Sequence, residues 1–279
     1  MEGIIDKRNK LNNLTGKEWL KLTKSFWISE KCADDKDAFN HPAPFLIKDT
    51  MKLISMFTKK GMKVLDPFCG SGTTLIASLL LDRYSIGIDL NEEYKQLAKE
   101  RLQKKNTLFT TANNYQYLIG DSNEIIPTLD NIDYIVTSPP YHNILKNNGQ
   151  GLRKKKENGF RNGARTGIEY YSDHPNDLGN KETYNEFLKS FQQIMNKCYQ
   201  KLNEGKYCTI VISDFTVNKK EVCSQGNIVS IMTEIGFDFC GTTVLLQNSK
   251  PLYPFGYPYA YKINHQHQNI ITFRKSKSI

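Results

Sequence analysis

From Met62 onward the chain alternates short apolar runs with segments of helical period, and this limits the fold more than any other feature. MKVLD (62–66), YSIGID (84–89), YQYLIGD (115–121) and IDYIVTS (132–138) read as strands, while TTLIASLLLD (73–82) and NEEYKQLAKERLQKK (91–105) read as helices. A long helix, KETYNEFLKSFQQIMNKCYQKLNEG (181–205), comes later. The strand KYCTIVISDF (206–215), the helix NIVSIMTEIG (227–236) and the strands CGTTVLLQ (240–247) and NIITFRK (269–275) follow it. Such alternation implies a Rossmann-like α/β layer sandwich around a mostly parallel, doubly wound sheet, with the late strand pair forming an antiparallel edge.

Ahead of this pattern, residues 11–31 have helix-compatible spacing, and Thr15 with Glu18 fits a capping box. Leu46, Met51, Leu53, Ile54 and Phe57 outline an amphipathic helix closed at Gly61. The reading divides the chain into an N-terminal helical extension (1–40) and an α/β domain (41–279) interrupted at 142–180. At 279 residues, 39% of them hydrophobic, the chain can bury a sizeable core. No apolar run approaches the roughly 20 residues that cross a bilayer, and the first residues lack the apolar core of a secretory signal, so a cytoplasmic protein is expected. The six cysteines form no CxxC pair, which argues against a zinc knuckle or a disulfide framework. A net charge of +9 suits a polyanionic partner, and it also suits an ordinary basic protein.

Ligands of open α/β sheets lie at the carboxyl ends of the strands. In VLDPFCGSGTT the strand ends at Asp66, and Gly70 and Gly72 allow a tight turn and close backbone approach. A strand-to-helix turn explains those glycines equally well in isolation. The next strand, however, ends in Asp89 followed by Leu90, where a carboxylate can accept from ribose hydroxyls. Leu75 replaces the third small residue of a pyrophosphate fingerprint, which favours a ligand without pyrophosphate. Asp121 and Ser122 end a further strand, where Asp121 fits both an acceptor for an adenine amino group and a helix cap. Asp66 likewise fits a turn acid or a partner for a cationic ligand.

TSPPY (137–141) ends another strand. Pro139 and Pro140 stiffen this loop and remove two backbone donors, leaving carbonyl acceptors. A nucleophilic amino group needs such acceptors for its hydrogens. Ser138 and the Pro139 carbonyl are candidates to hold them, and Tyr141 offers a ring for stacking on an extruded base. A rigid proline turn with an exposed tyrosine is the plainer alternative.

With these motifs the chain resembles the S-adenosylmethionine-dependent DNA amino-methyltransferases, which carry [DNS]PP[YFW] and F-x-G-x-G. HPAPF (41–45) resembles their cofactor-packing motif, with Phe45 as the contact, and NHQHQNIITFRK (264–275) resembles their closing strand. The resemblance runs from about Asn40 to Lys275. It implies a class I methyltransferase fold with a seven-stranded sheet, and S-adenosylmethionine held by Phe45, Asp66, Pro67, Phe68, Gly70, Gly72, Thr73, Asp89, Leu90, Asp121 and Ser122. It also implies direct in-line methyl transfer, without a metal, at Ser138, Pro139, Pro140 and Tyr141. Serine at 138 is commoner among cytosine-N4 enzymes, and adenine N6 is the alternative. An RNA or protein methyltransferase and an idle DNA-binding relative are the more distant rivals. The implied partner is double-stranded DNA, in a restriction-modification setting where a cognate endonuclease is one arrangement, with the chain a monomer or homodimer.

No Pro-Cys pair exists for carbon-5 chemistry, so Cys69 reads as packing or cofactor lining. His142, His265 and His267 read as unconnected with a metal. Lys146, Arg153, Lys154, Lys155, Lys156, Arg161 and Arg165 make 142–180 the candidate DNA-recognition segment, although a solvated loop has the same composition. KPLYPFGYPYAYK (250–262) fits a wall of the base pocket, a DNA-facing loop or a rigid cover for the core equally well.

Overall fold

The computed structural model describes residues 3–40, 45–104, 114–142, 171–218 and 220–277, without the side chains of 39 and 40. Ten strands and seven α-helices occur among them. The strands are β1 (Phe26–Ile28), β2 (Lys63–Asp66), β3 (Tyr84–Asp89), β4 (Tyr115–Ile119), β5 (Ile132–Thr137), β6 (Leu202–Ile212), β7 (Phe215–Val217), β8 (Lys220–Val222), β9 (Asp238–Leu246) and β10 (His267–Arg274). The helices are α1 (Gly16–Leu22), α2 (Ile47–Phe57), α3 (Thr73–Leu80), α4 (Glu92–Gln103), α5 (Ser122–Ile125), α6 (Tyr184–Lys201) and α7 (Ser224–Ile235).

Eight strands form one sheet in the order β1-β9-β10-β6-β5-β2-β3-β4. All run parallel except β10, which is antiparallel to both β6 and β9. The doubly wound, mostly parallel reading therefore holds, with two corrections. The antiparallel strand lies inside the sheet, because β9 pairs along its outer side. The sheet also exceeds seven strands, because β1 adds to β9 with Trp27 opposite Leu245.

That added strand changes the reading of the first forty residues. Among the described residues there, only α1 is α-helical, opened by the expected capping box in which the Thr15 amide donates to Glu18 Oε2 at 2.8 Å. Beyond it Trp27 is buried, and its indole donates to the Leu22 carbonyl at 3.0 Å. The buried Asn12 amide donates to the Met56 carbonyl at 2.7 Å, tying the segment to α2. This stretch is part of the sheet layer rather than a helical annex. Helix α2 itself ends at Phe57, where Thr58 is already extended and its hydroxyl bonds the Ile54 carbonyl, so it stops short of Gly61.

Side chains alternate across the sheet with the strand period. Leu65, Ile135, Ile210 and Ile271 face α6 and α7, whereas Val64, Val136, Val211 and Ile270 face α2. Each fully buried side chain of this size contributes about 1.5–3 kcal/mol. Both faces are therefore dry, and the polar loops at the carboxyl edge are where a ligand can bind.

Candidate active site

The loop after β2 is fixed from several directions by buried polar contacts. Asp66, 2% exposed, accepts from Thr74 Oγ1 at 2.5 Å, from Thr137 Oγ1 at 2.6 Å and from the Phe68 amide at 3.1 Å. One carboxylate thus joins the start of α3 to the end of β5, so the glycine loop and the SPPY loop share an anchor. Burial pushes the Asp66 carboxyl up to about 6, against the pull of the Thr137 and Thr74 hydroxyls. The role is structural: Asp66 sits beneath the cleft and does not line it.

Gly72 has a left-handed backbone with φ 76°, and a Cβ placed there would come within 2.6 Å of the Ala98 Cβ. Only glycine lets α4 approach this turn so closely. From α4 the buried Arg101 donates to the Ser71 carbonyl at 2.5 Å and to Thr73 Oγ1 at 3.0 Å. Thr73 Oγ1 also donates to the Phe45 carbonyl at 3.3 Å, and Tyr117 on β4 donates to the Gly70 carbonyl at 2.7 Å. Cys69 packs against the strand behind it. Its sulfur lies where a side chain on Gly87 would be, and its amide bonds the Ile88 carbonyl at 2.9 Å. Burial drives its thiol well above the ordinary range, so it is a packing group and no nucleophile.

An open cleft of about 610 Å³ lies above this loop. Pro67 and Phe68 form one wall, Asp89, Leu90 and Tyr94 another, and Ser138, Pro139 and Pro140 close a third side. Asp89 Oδ2 accepts from the Gly70 amide at 2.8 Å and Oδ1 from the Asn91 amide at 3.0 Å, which leaves each oxygen a lone pair for a ligand. Burial pushes its carboxyl up to about 6 against those amides. Asp121 also lines the cleft while capping α5, accepting from the Asn123 amide at 2.8 Å. The Ser122 hydroxyl is already spent on the Pro67 carbonyl at 2.6 Å.

Several expected residues stand elsewhere. Gly70, Gly72 and Thr73 shape the turn from behind, and Phe45 lines a separate small cavity with Leu46, Thr50 and Gln268. Tyr141 differs most from its expected exposure: it is 6% exposed, packed edge-on against Phe215 at 5.4 Å. Its hydroxyl accepts from the Ser213 amide at 3.0 Å and from Gln268 Nε2 at 3.2 Å, so the ends of β6 and β10 draw the ring under the sheet edge. The ring is a core anchor for the loop rather than a surface displayed in the cleft.

The fourth wall was missed by sequence reasoning. Tyr171, Asn176, Asp177 and Leu178, from the end of the 142–180 interruption, fold back over the cleft. The Asn91 amide group donates to the Tyr171 carbonyl at 2.9 Å, and Asn176 donates to Asp121 Oδ2 at 2.7 Å. Asp177 is buried, accepts from Ser172 Oγ at 2.6 Å and the Gly179 amide at 2.8 Å, and has its carboxyl raised by burial. The one available signal was the acid-turn pattern SDHPNDLGN itself. Lys146, Arg153, Lys154, Lys155, Lys156, Arg161 and Arg165 lie outside the described residues, as do His41 to Pro44.

The histidines do not converge. His142 is buried against Tyr184 and Phe187 with Nε2 2.9 Å from the Lys181 carbonyl, and His265 pairs with Glu221 at 2.8 Å. Among the described residues no three His, Cys, Asp or Glu side chains are grouped to hold a metal ion. Among them, too, no helix is long and apolar enough to cross a membrane.

The model of the N6/N4 DNA methylase family matches residues 3–100 and 132–279. The chain belongs to this family. Of its relatives, the Type II methyltransferase M.BglI of Bacillus subtilis is 32% identical over 125 residues, covering 45% of this chain and 33% of that protein. The Type II methyltransferase M.SmaI of Serratia marcescens is 56% identical over 48 residues, 17% of this chain and 16% of that one. The aligned stretches thus span a third or less of these relatives. Among solved structures, a precorrin 8W decarboxylase of Methanobacterium thermoautotrophicum superposes with a TM-score of 0.53 at 13% identity, covering 88% of this chain and 99% of that one. TrmN of Thermus thermophilus gives 0.51 at 15% identity, covering 87% and 52%. At such identities these two define the fold of this family member, a Rossmann-like α/β sandwich, and nothing of its chemistry.

Proposed function

We propose that this family member transfers a methyl group from S-adenosylmethionine to the exocyclic amino nitrogen of a base extruded from duplex DNA, with cytosine N4 as the target. The observation that carries the proposal is the Asp66 bridge. It sets the glycine loop and the SPPY loop on two sides of one cleft, so a cofactor beside the first lies next to a base beside the second.

The cleft suits the cofactor chemically. Apolar walls at Phe68, Leu90 and Leu178 accept an adenine ring, and the carboxylates of Asp89, Asp121 and Asp177 suit ribose hydroxyls and a cationic ligand. When bound, S-adenosylmethionine supplies an electrophilic methyl on its sulfonium. Ser138 Oγ and the Pro139 carbonyl hold the hydrogens of the target amine and aim its lone pair. With the cofactor held there, the amine would take the methyl while sulfur keeps the carbon–sulfur electron pair, and the surplus proton would pass from the amine to water. Alignment supplies most of the acceleration, so no group with a base's pKa is needed. Serine at 138 supports cytosine over adenine. Residues 142–180 are assigned to DNA recognition by their basic composition, and Tyr171, Asn176, Asp177 and Leu178 at their end wall the cofactor cleft.

Incubation of the protein with methyl-labelled cofactor and duplex DNA, then digestion to nucleosides, is expected to yield N4-methylcytosine. N6-methyladenine would replace the base assignment, and labelling of RNA with none on duplex DNA would sink the reading. Ser138→Ala is expected to cut turnover by about 100-fold, a drop on the scale of one positioned polar group, with cofactor affinity within about 2-fold of wild type.

A further inference from the structure

The segment between β9 and β10 is tied down at its base and bare at its tip. The Gln247 amide donates to the Gln266 carbonyl at 2.7 Å, Gln266 Nε2 to the Lys250 carbonyl at 2.8 Å, and Asn264 exchanges two bonds with the Tyr253 backbone at 3.0 and 2.8 Å. At the tip the Tyr259 and Ala260 amides both donate to the Gly256 carbonyl, at 2.8 and 2.7 Å. Gly256 has φ 78°, and a Cβ there would collide with the Ala260 backbone. This is a built loop in which Tyr253 and Phe255 pack on each other at 5.5 Å, and it holds its other three tyrosine rings in solvent: Tyr257, Tyr259 and Tyr261 are 81%, 94% and 88% exposed, with Leu252 at 69%. A rigid cover for the core would bury such rings, since each can remove about 150–250 Å² from water. Clustered exposed aromatics mark a contact surface.

Position and charge narrow the partner. The loop leaves the carboxyl end of β9 and returns just before Gln268, the residue that donates to the Tyr141 hydroxyl, so it stands at the SPPY side of the sheet edge. Its charged residues are Lys250 and Lys262, which flank the tyrosines, and no acid occurs from 250 to 263. We infer that this loop is a contact for duplex DNA beside the extruded nucleotide. The three tyrosine rings pack on sugar and base surface where the stack has been opened, Lys262 faces a phosphate, and Lys250, whose ammonium also donates to the His265 carbonyl at 3.3 Å, keeps two donors for another. The inference rests on the DNA-methylation reading and adds to it a second recognition element, distinct from 142–180.

The test is duplex affinity, read by anisotropy of a labelled duplex at several salt concentrations. For the variant with Tyr257→Ser, Tyr259→Ser and Tyr261→Ser together, affinity is expected to fall by about 10- to 100-fold, in line with the removal of one or more stacked rings. Its slope of log affinity against log salt should stay that of wild type. Lys250→Gln with Lys262→Gln should make that slope shallower by about 0.9 for each phosphate no longer neutralised. Cofactor affinity should be unchanged in both, because these side chains lie away from the cofactor cleft, and Tm should be unchanged in the tyrosine variant, whose rings are exposed. Wild-type duplex affinity in the tyrosine variant overturns the inference. So does a shift from dimer to monomer with DNA affinity intact, which would make the loop a self-association surface. A wild-type protein that binds duplex DNA but methylates none would overturn the functional reading and leave the loop's role standing.

Discussion

At the ends of β2 and β3 each turn of the chain is set by a buried polar bond, with Asp66, Arg101, Tyr117 and Ser122 converging on one loop. At the ends of β9 and β10 the chain instead runs out into a loop bonded largely to itself, carrying three tyrosines in solvent. A small ligand of fixed shape rewards the first construction, because a rigid cradle loses no order when it binds. A long polyanion of variable sequence rewards the second. The edge of one sheet thus holds a site built inward and a surface built outward, and mutations should separate them.

The largest effect is expected from Asp66→Ala, which leaves the Thr74 and Thr137 hydroxyls and the Phe68 amide without their acceptor. At about 1–3 kcal/mol for each buried group left unpaired, denaturant titration should find a loss of about 3–5 kcal/mol and an abolished cofactor site. An equal loss from Tyr259→Ala would break the contrast, since exposed substitutions stay within about 0.5 kcal/mol.

A pH series sharpens it further. The Asp66 carboxyl is raised to about 6 by burial, so between about pH 4 and 6 the native state binds more protons than the unfolded chain. Its contribution to stability is complete below about pH 4 and is lost as pH rises through 6, by about 3 kcal/mol. Asp66→Asn should flatten that slope, and Asp89, raised for the same reason, should retain its own share. An unchanged slope would show that the bridge is ionised throughout. The smallest effect among the buried groups belongs to Tyr141→Phe. It leaves the Ser213 amide unpaired under a ring that otherwise stays in place, and should lower stability by about 1–2 kcal/mol in thermal unfolding.

The strands that build the site were legible because they are short, apolar and buried on both faces, as in Val64–Leu65 and Ile135–Val136. The three-residue β1 was not. Phe26 and Ile28 are half exposed around a buried Trp27, a pattern too short to tell a strand from a helix turn. Nor could spacing reveal that β10 inserts between β6 and β9, since strand order is set by tertiary packing. The same limit applies within the site. Gly70, Gly72 and Asp89 could be read because their geometry is local. The Asp66–Thr137 bond spans 71 residues of sequence, and the burial of Tyr141 depends on Ser213 and Gln268 still farther along the chain. The Tyr171–Leu178 wall was hidden for a related reason: it looks like polar loop until Asn91 and Asp121 hold it down.

The seat of Cys69 against Gly87 turns the glycine loop into its own timekeeper. Thiol reagents reach Cys223 and Cys240 at the surface at once, whereas Cys69 can react only when the loop lifts off β3 and its sulfur meets water. Read at Cys69 itself by peptide mapping, apart from the likewise buried Cys198 and Cys208, the slow phase of alkylation therefore counts openings of the cradle. A ligand that fills the cleft should slow that phase to a rate proportional to the fraction of clefts left empty.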